Sequence, residues 1–267
     1  MSNTLKNHNA LITGGGHGLG REIALSLAEA GSDIIICGRS KIQLGDTTAK
    51  LKKLGVNVFD YSLEATNPDE VKRLFSRLID KIGRLDILIN NIGGVEKFGS
   101  FFDLNYEEWK KAYELNFMTM VYFSREAIPW LKKSGSGRII NISAVPARQP
   151  GVFNPHYSAA KAAMLNLSKH LANILAEDNI LVNAICPGTM SGGGWERNVT
   201  DKARKMRISI TEAERAMRQE EIGKVPLERI GTLQDVASLV AFLVSDKANF
   251  INGVCIDVDG GVVRSII

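Results

Sequence analysis

The sequence predicts an α/β fold, in which a doubly wound sheet of seven mainly parallel strands carries helices on both faces. Three observations support this prediction: seven short β-branched segments, amphipathic helical stretches between them, and a glycine-rich loop directly after the first segment. Strands that alternate with helices are joined by right-handed crossovers, which cover both faces of a parallel sheet. A chain of 267 residues can form one such unit, so a single domain over residues 1–267 is expected.

The seven predicted strands are rich in isoleucine and valine. In chain order they cover residues 10–13, 33–37, 56–62, 85–90, 137–143, 180–186 and 254–258. The first helix between them places Leu19, Ile23 and Leu27 on one face, and Gly31 is its predicted C-terminal stop. Ligands bind such sheets in the crevice outside the carboxyl ends of the strands. The residues that follow each strand are therefore the candidates for function.

Composition argues against several classes of function. The net charge of +4 comes from 33 basic and 29 acidic residues that are mixed along the chain, without the clustered stripe of a nucleic-acid-binding protein. The three cysteines, Cys37, Cys186 and Cys255, share no CxxC spacing, so neither a disulfide nor a metal site is expected. No signal-peptide core is present, and no apolar run approaches the ~20 residues that span a bilayer. The sequence predicts a cytoplasmic protein without nucleic-acid or membrane partners.

One compositional shift occurs at about residues 189–225, where a glycine-rich stretch gives way to a highly charged helical segment. Two interpretations are open. The segment is either a solvated pair of surface helices or, because it follows a strand end, a lid that covers a substrate.

The segment TGGGHGLG at 13–20 lies between the first strand and the first helix, which is the setting of a dinucleotide site. Gly14 permits the sharp exit from the strand, Gly18 lets the backbone approach a pyrophosphate, and Gly20 allows close packing of helix on sheet. The N-terminus of the helix favours the anion. The spacing is TGxxxGxG rather than GxGxxG.

Tyr157 and Lys161, in the segment YSAAK, are four residues apart, which places a phenol beside an ammonium on one helix. A phenol titrates near ~10, and a fixed positive charge nearby favours its ionised form. Ser143 ends the fifth strand upstream, and a loop containing proline allows both hydroxyls to point into one pocket. Two hydroxyls at a carbonyl oxygen stabilise and then protonate the charge that hydride transfer creates there.

The glycine loop, NNIG at 90–93, YSAAK, PG at 187–188 and VDGG at 258–261 together resemble the short-chain dehydrogenase/reductase family over essentially the whole chain. The resemblance implies a Rossmann-type fold and hydride transfer between NAD or NADP and a ketone or secondary alcohol. The sequence is similar to 3-oxoacyl-carrier-protein reductase-like members. A homotetramer or dimer is also implied, through the helices that carry Asn116 and Tyr157 and through the C-terminal region.

The resemblance also implies roles for four catalytic residues. Ser143 orients the substrate carbonyl, and Tyr157 donates or accepts the proton. Lys161 binds the nicotinamide ribose and lowers the pKa of Tyr157. Asn116 bends its helix and holds a water that links Lys161 to solvent; the alternative is a core asparagine whose amide is hydrogen-bonded.

The choice of cofactor depends on the end of the second strand, where an acidic side chain would favour NAD. This chain has Arg39 there, whose guanidinium suits the 2′-phosphate of NADP, and His17 is a second donor. NADP is predicted, with NAD also possible; otherwise Arg39 is a surface arginine that stacks on adenine. The predicted cofactor contacts are Thr13, Gly14, Gly16, His17, Gly18, Leu19, Gly20, Arg39, Glu64, Ala65, Asn91, Ile92, Gly93, Tyr157, Lys161, Pro187, Gly188 and Thr189.

Two of these positions depart from the family pattern. Glu64 stands where an aspartate is usual, and Ile92 replaces a small residue. The function favoured by the sequence is NADP(H)-dependent reduction of a carbonyl, with the 3-oxoacyl type as the expected substrate. The alternatives are an NAD-dependent alcohol or sugar dehydrogenase and a non-catalytic sensor or scaffold that binds a dinucleotide.

Overall fold

The computed structural model describes residues 4–266, apart from the side chains at positions 79, 80 and 193. Its sheet has seven strands in the order β3-β2-β1-β4-β5-β6-β7, and each neighbouring pair is parallel. The strands are β1 (Asn9–Thr13), β2 (Asp33–Gly38), β3 (Val58–Ser62), β4 (Ile87–Asn90), β5 (Arg138–Ile142), β6 (Leu181–Pro187) and β7 (Cys255–Val258). The predicted doubly wound fold is confirmed, and every predicted strand overlaps an observed one.

Helices connect the strands and cover both faces of the sheet. They are α1 (Gly18–Glu29), α2 (Lys41–Lys52), α3 (Pro68–Ile82), α4 (Tyr106–Tyr113), α5 (Thr119–Ser134), α6 (Pro155–Ile174), α7 (Gly193–Met206), α8 (Ile210–Ile222) and α9 (Leu233–Leu243). Within residues 4–266, none of these helices combines the length and the apolar character needed to cross a membrane.

Strand alternation divides the interior into two cores. On β1, Ile12 packs into a core that contains Ile23 and Leu27 of α1, while Leu11 packs into the opposite core with Phe123 of α5. All of these side chains are fully buried, as expected for a parallel sheet that is covered on both faces. The alternation of side chains along β1 therefore determines which helix packs on each face of the sheet, α1 on one face and α5 on the other.

Strand order reverses at β1, which pairs with β2 on one side and with β4 on the other. A crevice forms at such a reversal because the two connections leave in opposite directions. The loops that follow β1, β4, β5 and β6 meet at this edge of the sheet. It is therefore the edge at which the sequence-predicted residues are expected to converge.

The charged segment near residues 189–225 forms two helices, α7 and α8, with a small core of their own. That core contains Trp195, Val199 and Ala203 from α7 and Ala213 from α8. The two helices are tied to the carboxyl end of β6, because the Thr189 hydroxyl donates to a Glu221 carboxylate oxygen at 2.7 Å.

Candidate active site

The glycine loop joins the end of β1 to the start of α1, as predicted. Gly14 and Gly18 have φ values of 68° and 53°, in the left-handed region that favours glycine. A Cβ built on Gly18 would meet nothing within 4 Å. The loop therefore leaves open space above the N-terminus of α1, where a phosphate group is favoured.

Gly20 is required for a different reason, which is the close approach of α1 to the loop. A Cβ at this position would lie 2.2 Å from the Gly14 carbonyl oxygen and 2.6 Å from Nδ2 of Asn91. The backbone cannot yield to such a contact without moving the loop. Gly20 thus sets the shape of the predicted dinucleotide site.

A Gly20→Ala variant is expected to lose about 1–3 kcal/mol of unfolding free energy, since overpacking of this kind forces backbone shifts. Chemical denaturation measures the loss. The control is Gly45→Ala within α2, where an added Cβ meets nothing within 4 Å, so that variant is expected to gain up to about 1 kcal/mol in helix propensity. Equal stabilities for the two variants would contradict the packing described for Gly20.

Thr13 and Asn91 tie β1 to β4 at the point where the strand order reverses. The Thr13 hydroxyl donates to the Ile89 carbonyl at 3.2 Å and accepts from the Asn91 amide at 2.9 Å and the Ile92 amide at 3.2 Å. The Asn91 side chain in turn donates to the Thr13 carbonyl at 2.8 Å. These bonds hold the floor of the crevice rigid.

Three arginines lie around the glycine loop, close enough to His17 to affect its ionisation. Burial lowers the pKa of His17, and the charges of Arg21, Arg39 and Arg197 lower it further. Arg197 comes from α7 and donates to the Val95 carbonyl at 3.2 Å. Among the described ion pairs, none involves any of these three arginines. The loop therefore lies in a positive field without internal neutralisation, which favours a polyanion.

Asn116 lies in a wider π-helical turn (Glu114–Met118) between α4 and α5, and the structure brings it beside Lys161. Its side chain donates to the Ala112 and Gly94 carbonyls at 3.0 Å each and accepts from the Gly94 amide at 2.8 Å. A Cβ on Gly93 would lie 2.7 Å from both Asn116 Oδ1 and Lys161 Nζ. Asn116 is thus both a hydrogen-bonded core amide and a wall of the lysine pocket.

Ser143, Tyr157 and Lys161 converge at the ends of β5 and β6. The Lys161 ammonium lies 6.0 Å from the centre of the Tyr157 ring and donates to the Ile142 carbonyl at 2.8 Å. The Ser143 hydroxyl donates to the Lys161 carbonyl at 3.1 Å. Helix α6 begins at Pro155, a residue pre-organised for the first helical turn, so Tyr157 is held close to the end of β5.

Burial controls the ionisation of the tyrosine and the lysine. It raises the pKa of Tyr157 to about 12, with a further contribution from Cys186, and it lowers the pKa of Lys161 to about 8. The resemblance implied a tyrosine pKa lowered by the lysine. The structure differs because the ammonium donates to a backbone carbonyl and the desolvation of both groups dominates.

Comparison with known proteins agrees with this geometry. A family model described as enoyl-(acyl carrier protein) reductase matches residues 14–263. The chain belongs to the short-chain dehydrogenase/reductase family, and it is an oxidoreductase that acts on CH–OH or carbonyl groups.

Two curated relatives illustrate the range of the family. The 7alpha-hydroxysteroid dehydrogenase of Escherichia coli K12 is 31% identical over 257 residues, which cover 96% of this chain and 94% of the relative. The 3-oxoacyl-[acyl-carrier-protein] reductase FabG of Staphylococcus aureus N315 is 32% identical over 255 residues, with 95% and 97% coverage.

A solved structure is similar over its full length. L-sorbose reductase from Gluconobacter frateurii, complexed with NADPH and L-sorbose, has a TM-score of 0.94 at 27% identity and covers 100% of both chains. The similarity extends beyond the nucleotide-binding half of the sheet, because coverage of both chains is complete.

Three further predicted cofactor contacts, Gly188, Ala65 and Glu64, are described by their local surroundings. Gly188 follows β6 and packs so tightly that a Cβ there would be 2.9 Å from the Asp259 Cα. Ala65, after β3, is buried. The Glu64 carboxylate accepts from the Thr66 hydroxyl at 2.9 Å, so a neighbouring side chain partly satisfies it.

The structure also places Arg21 and Arg197, which the sequence did not indicate, near His17 of the glycine loop. Arg21 lies in the first turn of α1, and its position one residue after the glycine loop could have indicated that it lies near this loop. Arg197 could not have been found in this way, since its approach to Val95 depends on how α7 folds back over the loop after β4.

Proposed function

We propose that the protein is an NADP(H)-dependent carbonyl reductase that transfers hydride between the nicotinamide and a ketone or secondary alcohol, with Tyr157 as general acid and base. The observation that carries this proposal is the convergence of Ser143, Tyr157 and Lys161 at the strand ends that flank an open glycine loop. A 3-oxoacyl compound is the favoured substrate type, because this chain is similar in sequence to a 3-oxoacyl-[acyl-carrier-protein] reductase. The homotetramer and the cytoplasmic location remain predictions.

The residues present fit a dinucleotide. The space above Gly18 and the N-terminus of α1 suit a pyrophosphate, and Arg39 at the end of β2 suits a 2′-phosphate. The L-sorbose reductase structure, which is complexed with NADPH, supports NADP over NAD. When bound, this cofactor supplies the hydride; the protein binds and orients it through the glycine-loop backbone, Arg39, Asn91 and Lys161.

The chemistry at the carbonyl is assigned to two hydroxyls. As negative charge develops on the substrate oxygen, the Ser143 hydroxyl turns from the Lys161 carbonyl to donate a hydrogen bond to it, and Tyr157 transfers its proton. Burial keeps Tyr157 protonated, with a pKa of about 12, so the acid is present in the reducing direction. Lys161 then favours the phenolate that this transfer leaves behind, while the Ile142 carbonyl holds the ammonium and Asn116 lines its pocket.

Helices α7 and α8 are proposed to act as the lid over the substrate. Arg197 attaches α7 to the loop after β4 at Val95, and Glu221 attaches α8 to Thr189. These contacts bridge the lid and the crevice on two sides. Residues 189–225 are therefore the part of the chain expected to determine which carbonyl compound is bound.

An Arg39→Asp variant is expected to reverse the cofactor preference. Replacing the guanidinium by a carboxylate removes charge-assisted hydrogen bonds to the 2′-phosphate, so the Kd for NADPH should rise about 100-fold. The Kd for NADH should fall, because an acidic residue accepts from the ribose hydroxyls. Fluorescence titration measures both dissociation constants. If their ratio were unchanged, Arg39 would not recognise the 2′-phosphate.

The proposed function is tested by a substrate panel in which NADPH consumption is followed by absorbance. The panel contains a 3-oxoacyl thioester, a ketosteroid, a ketose and an enoyl thioester. Turnover of at least one carbonyl compound by the wild type supports the proposal. Turnover of the enoyl thioester alone, or NADPH binding without turnover of any compound, contradicts it.

A further inference from the structure

Strands β6 and β7 bring two of the three cysteines together beside the candidate active site. The sulfur atoms of Cys186 and Cys255 lie 3.3 Å apart. In the strand register, Cys255 pairs with Ala184 and Cys186 pairs with Asp257. Because side chains alternate along a strand, both thiols project from the same face of the sheet.

We propose that Cys186 and Cys255 form an oxidisable thiol pair that a peroxide converts into a disulfide, and that this bond slows the reaction at the neighbouring site. The second half of the statement rests on the proposed carbonyl reductase function. The first half does not, since bond formation is measured without any substrate.

The sulfur atoms are already close, but the two residues stand two positions apart in the strand register, so bond formation also requires a shift of the backbone. A disulfide has an S–S length of ~2.05 Å, so the two sulfurs would approach by about 1.2 Å from their present 3.3 Å separation. Both residues belong to hydrogen-bonded neighbouring strands, which keep the pair together in the native state. The thiols therefore meet far more often than two free cysteines would in solution.

The two thiols are unequal, which is what a reactive pair requires. A hydrogen bond from Cys186 lowers the pKa of Cys255, and the nearby Arg148 charge acts in the same direction. Cys255 is half-buried, whereas Cys186 is fully buried, and its hydrogen bond with Cys255, together with burial, raises its pKa. Cys255 is thus the thiolate that a small oxidant reaches first.

A metal site is the competing use of these side chains, because Cys186, Cys255 and Asp257 present ligand atoms within 4.8 Å of one another. However, the Arg148 guanidinium lies 2.6 Å from Oδ2 of Asp257. It occupies one carboxylate oxygen and repels a second cation at close range. Thiol oxidation, which needs no cation, is the chemistry that this arrangement favours.

The reaction balances with a peroxide as the two-electron oxidant. The Cys255 thiolate attacks one oxygen of hydrogen peroxide, the O–O bond breaks, and hydroxide leaves, which gives a sulfenic acid. The Cys186 thiol then loses its proton and attacks that sulfur; the S–O bond breaks, and the hydroxide released takes up a proton to form water. Two thiols and one peroxide yield one disulfide and two waters.

The bond would reach the active site through Ser143. The Ser143 hydroxyl is within hydrogen-bonding reach of the Cys186 thiol. This contact lowers the Cys186 pKa, although the larger effects of the Cys255 hydrogen bond and of burial raise it. In addition, the Ser143 amide donates to the Ile185 carbonyl at 2.8 Å, one residue before Cys186. A disulfide removes the Cys186 thiol that neighbours the Ser143 hydroxyl and shifts its sulfur, so the surroundings of that hydroxyl change.

The test treats the reduced full-length protein with hydrogen peroxide, blocks the remaining thiols by alkylation, and maps the disulfide by peptide mass spectrometry. The expected result is a Cys186–Cys255 bond that dithiothreitol reverses, with Cys37 still alkylated after unfolding. Cys37 is the internal control, because burial raises its pKa to about 12. The proposal that Cys186 and Cys255 form an oxidisable pair would be contradicted if both thiols remained free. It would also be contradicted if Cys37 were oxidised to the same extent.

Activity decides the second half of the proposal. Peroxide is expected to lower the carbonyl reductase rate of the wild type about tenfold, which corresponds to the loss of one oriented hydrogen bond. Cys255→Ser should keep its full rate after the same treatment. A mapped disulfide with an unchanged rate would overturn the coupling to Ser143. If the untreated protein reduced no carbonyl compound, the proposed function would be contradicted. The peptide mass spectrometry would still show whether the Cys186–Cys255 disulfide forms.

Discussion

A Tyr157→Phe variant is expected to turn over its carbonyl substrate about 1,000-fold more slowly than the wild type, which is within the range for loss of a general acid. The phenol oxygen is the only atom removed, and the ring that packs near Lys161 stays. The Kd for NADPH should therefore change less than about twofold. Stopped-flow measurement of a single turnover separates this chemical effect from cofactor binding.

Tyr122→Phe provides the matched control. Tyr122 is also partly buried, its hydroxyl donates to a Glu114 carboxylate oxygen at 2.7 Å, and its pKa is likewise raised to about 12, first by burial and then by Glu114. Tyr122 packs against the core that contains Leu11 and Phe123, so loss of its hydroxyl should leave kcat near the wild-type value. If Tyr157→Phe kept more than about a tenth of the wild-type rate, the proton donor would be a different group.

A Lys161→Met variant is expected to lower kcat/KM for NADPH about 100-fold or more, since it removes both a ribose contact and the charge that favours the phenolate. The effect should depend on pH. Because the Lys161 pKa is about 8, the ammonium is lost as the pH rises through that value, and wild-type kcat/KM should fall there. A pH series of initial rates measures the decline, which Lys161→Met should not show.

Lys169→Met is the control for this substitution, because Lys169 lies two turns further along α6 and is exposed. It should keep both the rate and the pH dependence of the wild type. A wild-type profile that stays flat up to pH values near 10 would contradict the role given to the Lys161 charge.

The same lysine has a consequence for stability. Its pKa in the folded protein, about 8, is below the ordinary value of 10.5, so between these values the unfolded chain binds more protons than the native protein. Stability therefore rises with pH across this window relative to Lys161→Met. Denaturation of the two proteins at pH 7.5 and 9.5 is expected to show the difference growing in favour of the wild type.

The fold could be predicted from the sequence because its signals are local. The β-branched runs and the glycine loop identify strand, turn and helix without knowledge of distant residues, and spacing alone places Lys161 on the same helix face as Tyr157. Ser143 was found because a strand end is visible in the sequence.

Features that depend on long-range placement could not be predicted. Arg197 reaches the loop after β4 only because α7 folds back, and the approach of Cys186 to Cys255 depends on the register of two strands far apart in the chain. The raised pKa of Tyr157 follows from burial, which a motif does not report. The sequence indicated the candidate reacting groups, and the structure was needed for their environment.

The most direct test of the account uses NADPH that carries deuterium at both positions of the dihydronicotinamide C4. It is supplied with the best ketone from the panel. The expected result is one deuterium on the carbinol carbon of the product, with this product formed about 1,000-fold more slowly by Tyr157→Phe. Deuterium on a saturated carbon that was part of a C=C bond, or equal label transfer by the wild type and Tyr157→Phe, would contradict it.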